Sequence, residues 1–259
     1  MDKRQLGDTG ISVSPHGLGT TKFGRNEGVK YPTPFDLHEE SELADLLALA
    51  KELGVNLIDT APAYGLSEER LGRLLEGQRE DWVIVGKVGE EFENGESFYD
   101  FSAEHFEKSL LRSLERLKTD YIDVLLIHSN GEDLDILNNE SSIRALEDFK
   151  QRGMVRAIGA STKTEAGGIK ALEIMDVVMA SYNPDYQDER PVLDYAAEHN
   201  KGVLLKKVLS SGHAGSAEDA FRFALSHPAV SSAVVGTINP KHLQGNVEMI
   251  NSLLEAQAV

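Results

Sequence analysis

Four side chains in this sequence have complementary chemistry if the fold brings them together: Asp59, Tyr64, Lys87 and His128. A phenol ordinarily keeps its proton until about pH 10. A neighbouring ammonium stabilises the phenolate and lowers that value, and a carboxylate beside the ammonium keeps it charged in a partly dry site. An imidazole in the same group can orient a carbonyl oxygen and share the proton. Together they would form a general acid for a developing alkoxide, a role worth ~10²–10⁴-fold in rate. Taken singly, each has a plainer use: a turn-forming Asp, a packed Tyr, a solvated Lys, a hydrogen-bonded core His. Their joint placement at the ends of consecutive strands is what points to chemistry.

The elements that must position them follow a regular alternation. An antiparallel hairpin is expected at the N-terminus around the Gly-Asp-Thr-Gly turn at 7–10, followed by a first core strand over 13–19. Residues 20–37 read as a loop, with Gly24, Gly28, Pro32 and Pro34 breaking any regular element. A helix over 39–53 carries Leu43, Leu46, Leu47 and Ala50 at helical spacing and stops at Gly54. Strand 56–60 holds Asp59, helix 68–76 follows the Tyr64 turn, and strand 82–87 ends in Lys87. An acidic loop is expected over 88–101, then helix 103–118 and the apolar strand 122–128 ending in His128.

The second half keeps the rhythm: helix 141–152, strand 155–161, a helix from a Thr162/Glu165 capping box to 172, strand 177–183, helix 191–199, strand 202–207, a helix opened by Ser216 and Asp219, strand 232–237 and helix 241–255. Eight strand-then-helix units imply a parallel sheet with right-handed crossovers. The length suits a closed (β/α)8 TIM barrel, with residues 1–259 as one domain. No Gly-x-Gly-x-x-Gly follows the first strand, which argues against a doubly wound sheet.

Composition narrows the class. A net charge of −17 argues against nucleic-acid or anionic-membrane partners. With no cysteine, a thiolate metal site, a disulfide and a Cys nucleophile are excluded. No signal-peptide core and no apolar run of about 20 residues is present, so a cytoplasmic location is expected, with no metal implied.

The motifs around the four residues resemble a known family. Ile58 to Gly72 follows Ile-Asp-Thr-Ala-x-x-Tyr-Gly-x-Ser-Glu-x-x-Leu-Gly, and Ser113 to His128 ends Asp-Val-Leu-Leu-Ile-His. Gly153 to Ser161 and the pair Tyr182-Asn183 continue the match, which extends from Leu6 to Asn246. The sequence is similar to the aldo-keto reductases. The resemblance implies a barrel that binds a nicotinamide cofactor without a Rossmann fold and reduces an aldehyde or ketone by hydride transfer. Asp59, Tyr64, Lys87 and His128 would be the catalytic tetrad, with Tyr64 as acid, Lys87 and Asp59 tuning it and His128 orienting the carbonyl.

It also implies cofactor contacts at Gly19, Thr20, Ser161, Lys206, Gly236, Thr237, Asn239, Lys241, His242 and Asn246. Several depart from the family pattern. Thr162 stands where an Asn is usual, Met179 for a Gln, Lys206 for a stacking Tyr, and His242 for the Arg that grips a 2′-phosphate. NADP(H) is the expected cofactor, with NAD(H) left open by His242. Phe23, Tyr31, Phe35, Phe92, Phe98 and Tyr99 in the two early loops would meet a small-molecule carbonyl, since little chain follows the last helix. The oligomeric state is left open. Two other readings stand beside this one: a Schiff-base aldolase using Lys87, Lys206 or Lys207, and a nicotinamide-sensing or partner-binding barrel with little turnover.

Overall fold

The fold is taken from a computed structural model and is described for residues 1–257. An antiparallel hairpin, β1 (Arg4–Gln5) and β2 (Ser12–Val13), opens the chain, with Arg4 opposite Val13. Then come β3 (His16–Gly19), β4 (Leu57–Asp59), β5 (Val83–Val88), a second hairpin of β6 (Glu90–Glu93) and β7 (Glu96–Tyr99), β8 (Ile122–His128), β9 (Val155–Ser161), β10 (Val177–Ser181), β11 (Gly202–Lys206) and β12 (Val230–Gly236). Eight of these close into a parallel barrel in the order β3-β4-β5-β8-β9-β10-β11-β12, with β12 paired back to β3. The expected (β/α)8 architecture and N-terminal hairpin are therefore both present.

Two packed layers hold the barrel. Inward-facing Leu57, Val85, Val124, Leu126, Met179 and Leu204 fill its interior, and Leu6, Ile11 and Val13 from the first hairpin plug its N-terminal end. Outward-facing residues such as Leu18, Ile58 and Ile84 pack with Leu46, Leu71 and Phe106 on the surrounding helices. Each such fully buried aliphatic side chain contributes ~1.5–3 kcal/mol relative to exposure.

The helices begin where the sequence offers caps. Ser102 accepts from the His105 amide at 3.2 Å and Ser216 from the Asp219 amide at 3.2 Å. The helix Glu165–Ile174 starts two residues later than the Thr162/Glu165 spacing suggests. Its cap is Thr164, which accepts from the Gly167 amide at 3.1 Å. Thr164 and Lys163 are held in turn by the buried Asp133, which accepts both their amides at 2.9 and 3.0 Å.

Three further differences from the expected elements bear on the site. The first strand is split, because the chain leaves β2 after Val13 and enters β3 only at His16. The 88–101 segment is not a loop but carries the second hairpin, in which Glu90 pairs with Tyr99. Its outer strand is wholly exposed, so it lacks the buried face that marks a strand in sequence. Within 20–37 a short helix, Thr21–Gly24, packs its last residue onto the Tyr64 turn. A Cβ on Gly24 would lie 2.4 Å from the Tyr64 carbonyl, and one on Gly65 would lie 2.2 Å from the Gly24 carbonyl. Gly65 also has φ of 59°, so both positions require glycine.

Candidate active site

Strand alternation explains how the polar residues reach the barrel mouth. Side chains two apart on a strand share a face. Leu57 is followed inward by Asp59, Val85 by Lys87, Leu126 by His128, Met179 by Ser181 and Leu204 by Lys206. The register aligns Asp59 with Val85 and His128 with Ser161. The apolar layers thus end in one polar layer.

In that layer Lys87 and Asp59 are a buried ion pair, Nζ to Oδ1 at 2.5 Å, with side chains only 1% and 6% exposed. The ammonium also donates to the Thr60 carbonyl at 2.9 Å. Burial alone would discharge Lys87, but the Asp59 charge and the Tyr64 hydroxyl outweigh it and raise its pKa.

Tyr64 leaves the 3-10 turn Pro62–Tyr64 with its hydroxyl 3.5 Å from Asp59 Oδ2 and its ring centroid 4.8 Å from Lys87 Nζ. Burial, then the Asp59 charge, push its pKa up to about 12, with Lys87 only partly opposing them. This corrects the simple expectation of a lowered phenol. The carboxylate that keeps Lys87 charged also faces the phenol.

The His128 ring meets the Tyr64 ring edge-on, centroids 6.1 Å apart. Its Nδ1 lies 2.9 Å from Glu90 Oε2 on β6. Burial lowers the pKa of His128, and Lys87 and Lys206 add to this against the pull of Glu90. Glu90 itself is driven down to about 2. Its burial, which works the other way, is overcome by His128, the Ser97 hydroxyl and the Arg25 charge.

A cleft of about 630 Å³ runs from Asp59 and Gly19 past Lys206 and Gly236 to Thr237, Lys241, His242 and Asn246. The far end is the first two turns of the helix Pro240–Gln257, where Lys241 and His242 are exposed. Thr20, Ser161 and Asn239 do not line it. Thr20 Oγ1 donates to the Asp59 carbonyl at 2.9 Å and accepts from Ser67 at 2.7 Å. Asn239 Oδ1 accepts the Lys241 amide at 2.9 Å. Ser161 is reached by Lys206 Nζ at 2.9 Å, which also donates to the Thr162 carbonyl at 2.6 Å. Burial lowers Lys206 to about 8.

Of the loop aromatics, Tyr31 lines the cleft and places its hydroxyl over Gly236. Phe23 does not. It is fully buried among Leu18, Leu43 and Leu71, so it holds the short helix onto the barrel. Phe35 packs edge-on against Tyr31, centroids 5.6 Å apart. The Arg25 guanidinium covers the Phe92 ring at 3.4 Å, and Phe98 and Tyr99 are exposed on the hairpin. Glu90 and Ser181 escaped sequence reasoning. Ser181 follows Met179 by the same two-residue step, whereas Glu90 sits in an acidic stretch with nothing local to single it out.

A polar barrel mouth joined to an elongated cleft defines a (β/α)8 enzyme site, and comparison with known proteins sets its class. The model of the Aldo/keto reductase family matches residues 16–219. The chain belongs to the aldo-keto reductase family, and is an oxidoreductase that uses a nicotinamide cofactor and reduces carbonyls. A crystal structure of a Pseudomonas aeruginosa protein described as an aldo-keto reductase superposes with a TM-score of 0.90 at 54% identity, covering 97% of this chain and 95% of that one. The holo form of the Bacillus halodurans aldo-keto reductase AKR11C1 superposes with a TM-score of 0.83 at 25% identity, covering 96% and 91%. The NADH-specific methylglyoxal reductase of Escherichia coli is 31% identical over 77% of this chain and 62% of its own length.

Proposed function

We propose that the protein is an NADPH-dependent reductase of aldehydes or ketones, with Tyr64 as the general acid. The observation that carries this reading is the buried 2.5 Å pair of Lys87 and Asp59 directly beside the Tyr64 phenol. Burying an ammonium and a carboxylate together costs several kcal/mol of desolvation unless geometry and partners are good. A site that maintains such a pair next to a phenol is suited to proton transfer.

The residues fit a dinucleotide. The cleft extends from the Asp59 end to Asn246, carries Lys22, Lys206 and Lys241 along its wall, and finishes at a helix N-terminus that favours phosphate. When bound, the nicotinamide supplies the hydride. The chain supplies the rest. With its pKa near 12, Tyr64 keeps its proton at neutral pH and surrenders it only to a much stronger base, which an alkoxide is. Lys87, 4.8 Å from the ring, stabilises the phenolate left behind. Asp59 keeps Lys87 charged, and His128 directs the carbonyl oxygen toward the Tyr64 hydroxyl.

The Schiff-base alternative draws less support from the same geometry. Lys87 is ion-paired and its pKa is raised, and Lys206 spends its ammonium on two hydrogen bonds. The test is cofactor titration with NADPH and NADH, then a carbonyl panel with wild type and Tyr64→Phe. The variant is expected to bind cofactor normally and to lose at least ~10²-fold in turnover. Full activity in Tyr64→Phe would remove Tyr64 as the acid.

A further inference from the structure

The second hairpin does more than wall the site. At Gly89, whose φ is +105°, the chain bends as it leaves β5 after Val88 and delivers Glu90 to the barrel mouth. One oxygen of Glu90 accepts from Ser97 Oγ at 2.7 Å across the hairpin, and the other lies 2.9 Å from His128 Nδ1. The two side chains are only 12% and 18% exposed. That N···O line departs from the N–H direction, so Nδ1 has no well-aligned bond and Glu90 acts on the ring through its charge.

The hairpin is fixed from both sides. Next to Glu90, the buried Glu91 pairs with Arg112 and lies 3.2 Å from His105 Nε2 on the helix Ala103–Leu117. On the other side Arg25 covers Phe92 and donates to the Ala63 carbonyl at 3.0 Å, tying the hairpin to the Tyr64 turn.

A carboxylate facing one ring nitrogen fixes the tautomer of a histidine. The proton of neutral His128 belongs on Nδ1, toward Glu90. Nε2 bonds to none of the described residues. The neutral ring therefore offers a lone pair at Nε2, and only the imidazolium offers an N–H there. A carbonyl oxygen can only accept a hydrogen bond, whereas an alcohol can donate one. We infer that Glu90 is a positioning residue that holds His128 with Nδ1 protonated, so that the charge state of His128 selects between carbonyl and alcohol at the Tyr64 site. This rests on the reading of Tyr64 as the acid. In the charged state the Glu90–imidazolium pair directs a carbonyl toward Tyr64. In the neutral state Nε2 accepts from an alcohol hydroxyl.

Glu90 from β6 and the Tyr64 ring pack against the imidazole, and the charges of Lys87 from β5 and Lys206 from β11 also act on it. Burial and the two lysines disfavour the charged ring, and Glu90 is the group that favours it. Removing the Glu90 charge must lower the pKa of His128.

The experiment compares wild type, Glu90→Gln and Glu90→Asp in both reaction directions from pH 5 to 9, with cofactor affinity measured separately. Glu90→Gln is expected to bind cofactor within twofold of wild type. Its kcat for carbonyl reduction at saturating substrate and pH 7 should fall by about tenfold or more, with the high-pH loss of that kcat moving down by about one pH unit. The kcat for alcohol oxidation should change much less, and Glu90→Asp should restore the wild-type profile. Equal loss of kcat in both directions with an unmoved pH profile would reduce Glu90 to a hairpin fastener and overturn the inference. Histidine ring NMR, assigned with His128→Asn, gives a readout independent of turnover. An unchanged His128 pKa in Glu90→Gln would also overturn it, even if no carbonyl is reduced by the wild type. Wild type inactive toward every carbonyl with a lowered His128 pKa in Glu90→Gln would refute the assigned reaction and leave the pairing standing.

Discussion

Lys206 on β11 reaches across the intervening strand β10 to hold Ser161 on β9, Nζ to Oγ at 2.9 Å. The ammonium is thereby fixed at the mouth of the cleft that carries Lys241 and Asn246 at its other end. An oxidised nicotinamide is cationic and a reduced one is neutral. In the proposed cofactor site, a fixed cation beside the ring would favour the reduced cofactor.

Replacing that cation tests this directly. Lys206→Met keeps the apolar stem and removes the charge. It is expected to tighten binding of the oxidised cofactor relative to the reduced one by on the order of fivefold, about 1 kcal/mol for two separated charges in a partly wet site. Because Lys206 titrates near 8, the same preference in the wild type should weaken between pH 7 and 9 and be flat in the variant. Fluorescence titration with both cofactor forms measures it, and an unchanged ratio would refute it.

His242 stands exposed on the first turn of the last helix, beside Lys241. Arg at this position would offer a planar, permanently charged fork to a 2′-phosphate. His242→Arg is expected to raise the NADPH-to-NADH affinity ratio by about tenfold, as for a hydrogen bond to a charged group. No change in that ratio would place the phosphate elsewhere.

The Lys87–Asp59 pair has a stability consequence separate from catalysis. Asp59→Asn leaves an ammonium buried without its counter-charge, which costs ~3–5 kcal/mol. Urea unfolding at pH 7 should show a midpoint well below that of wild type. A midpoint equal to wild type would mean that Lys87 finds another partner or discharges at little cost.

His16 begins β3 on the same outward face as Leu18, fully buried, with neither ring nitrogen bonded among the described residues. Burial drives its pKa from 6.5 down to about 4. The folded state therefore binds this proton less readily than the unfolded one. Its contribution is whole above pH 6.5 and is lost as the pH falls from 6.5 toward 4, a change of about 3 kcal/mol. In His16→Leu, unfolding free energies between pH 7 and 4 should fall less than in wild type by about that amount.

The barrel was legible because its strands obey strong rules. The unbroken apolar run before His128 is what a strand buried on both faces requires, and the two-residue step from Val85 to Lys87 turns a core layer into a functional one. Tyr64 was legible through its motif. Glu90 was not, because one Glu among several in 88–101 becomes special only when the fold brings it to His128, a long-range outcome. Thr162 has the capping-box spacing to Glu165, but Thr164, with Gly167 three residues on, is the cap because the distant Asp133 holds it in place. The raised Tyr64 pKa was also out of reach. Its sign depends on burial and the Asp59 field together, and a list of neighbouring charges does not rank those against Lys87.

The backbone contact between Gly24 and Gly65 makes the two loops one mechanical part. With no side chain between them, neither loop can slide past the other without breaking backbone contact. Arg25 and Phe23 extend the same joint, one to Ala63 and the other into the core. Tyr31 hangs over the cleft further along this segment, with the Lys22 ammonium of the short helix 4.0 Å from its ring centroid. The turn that seats the phenol is thus braced by backbone on one side and by the core on the other.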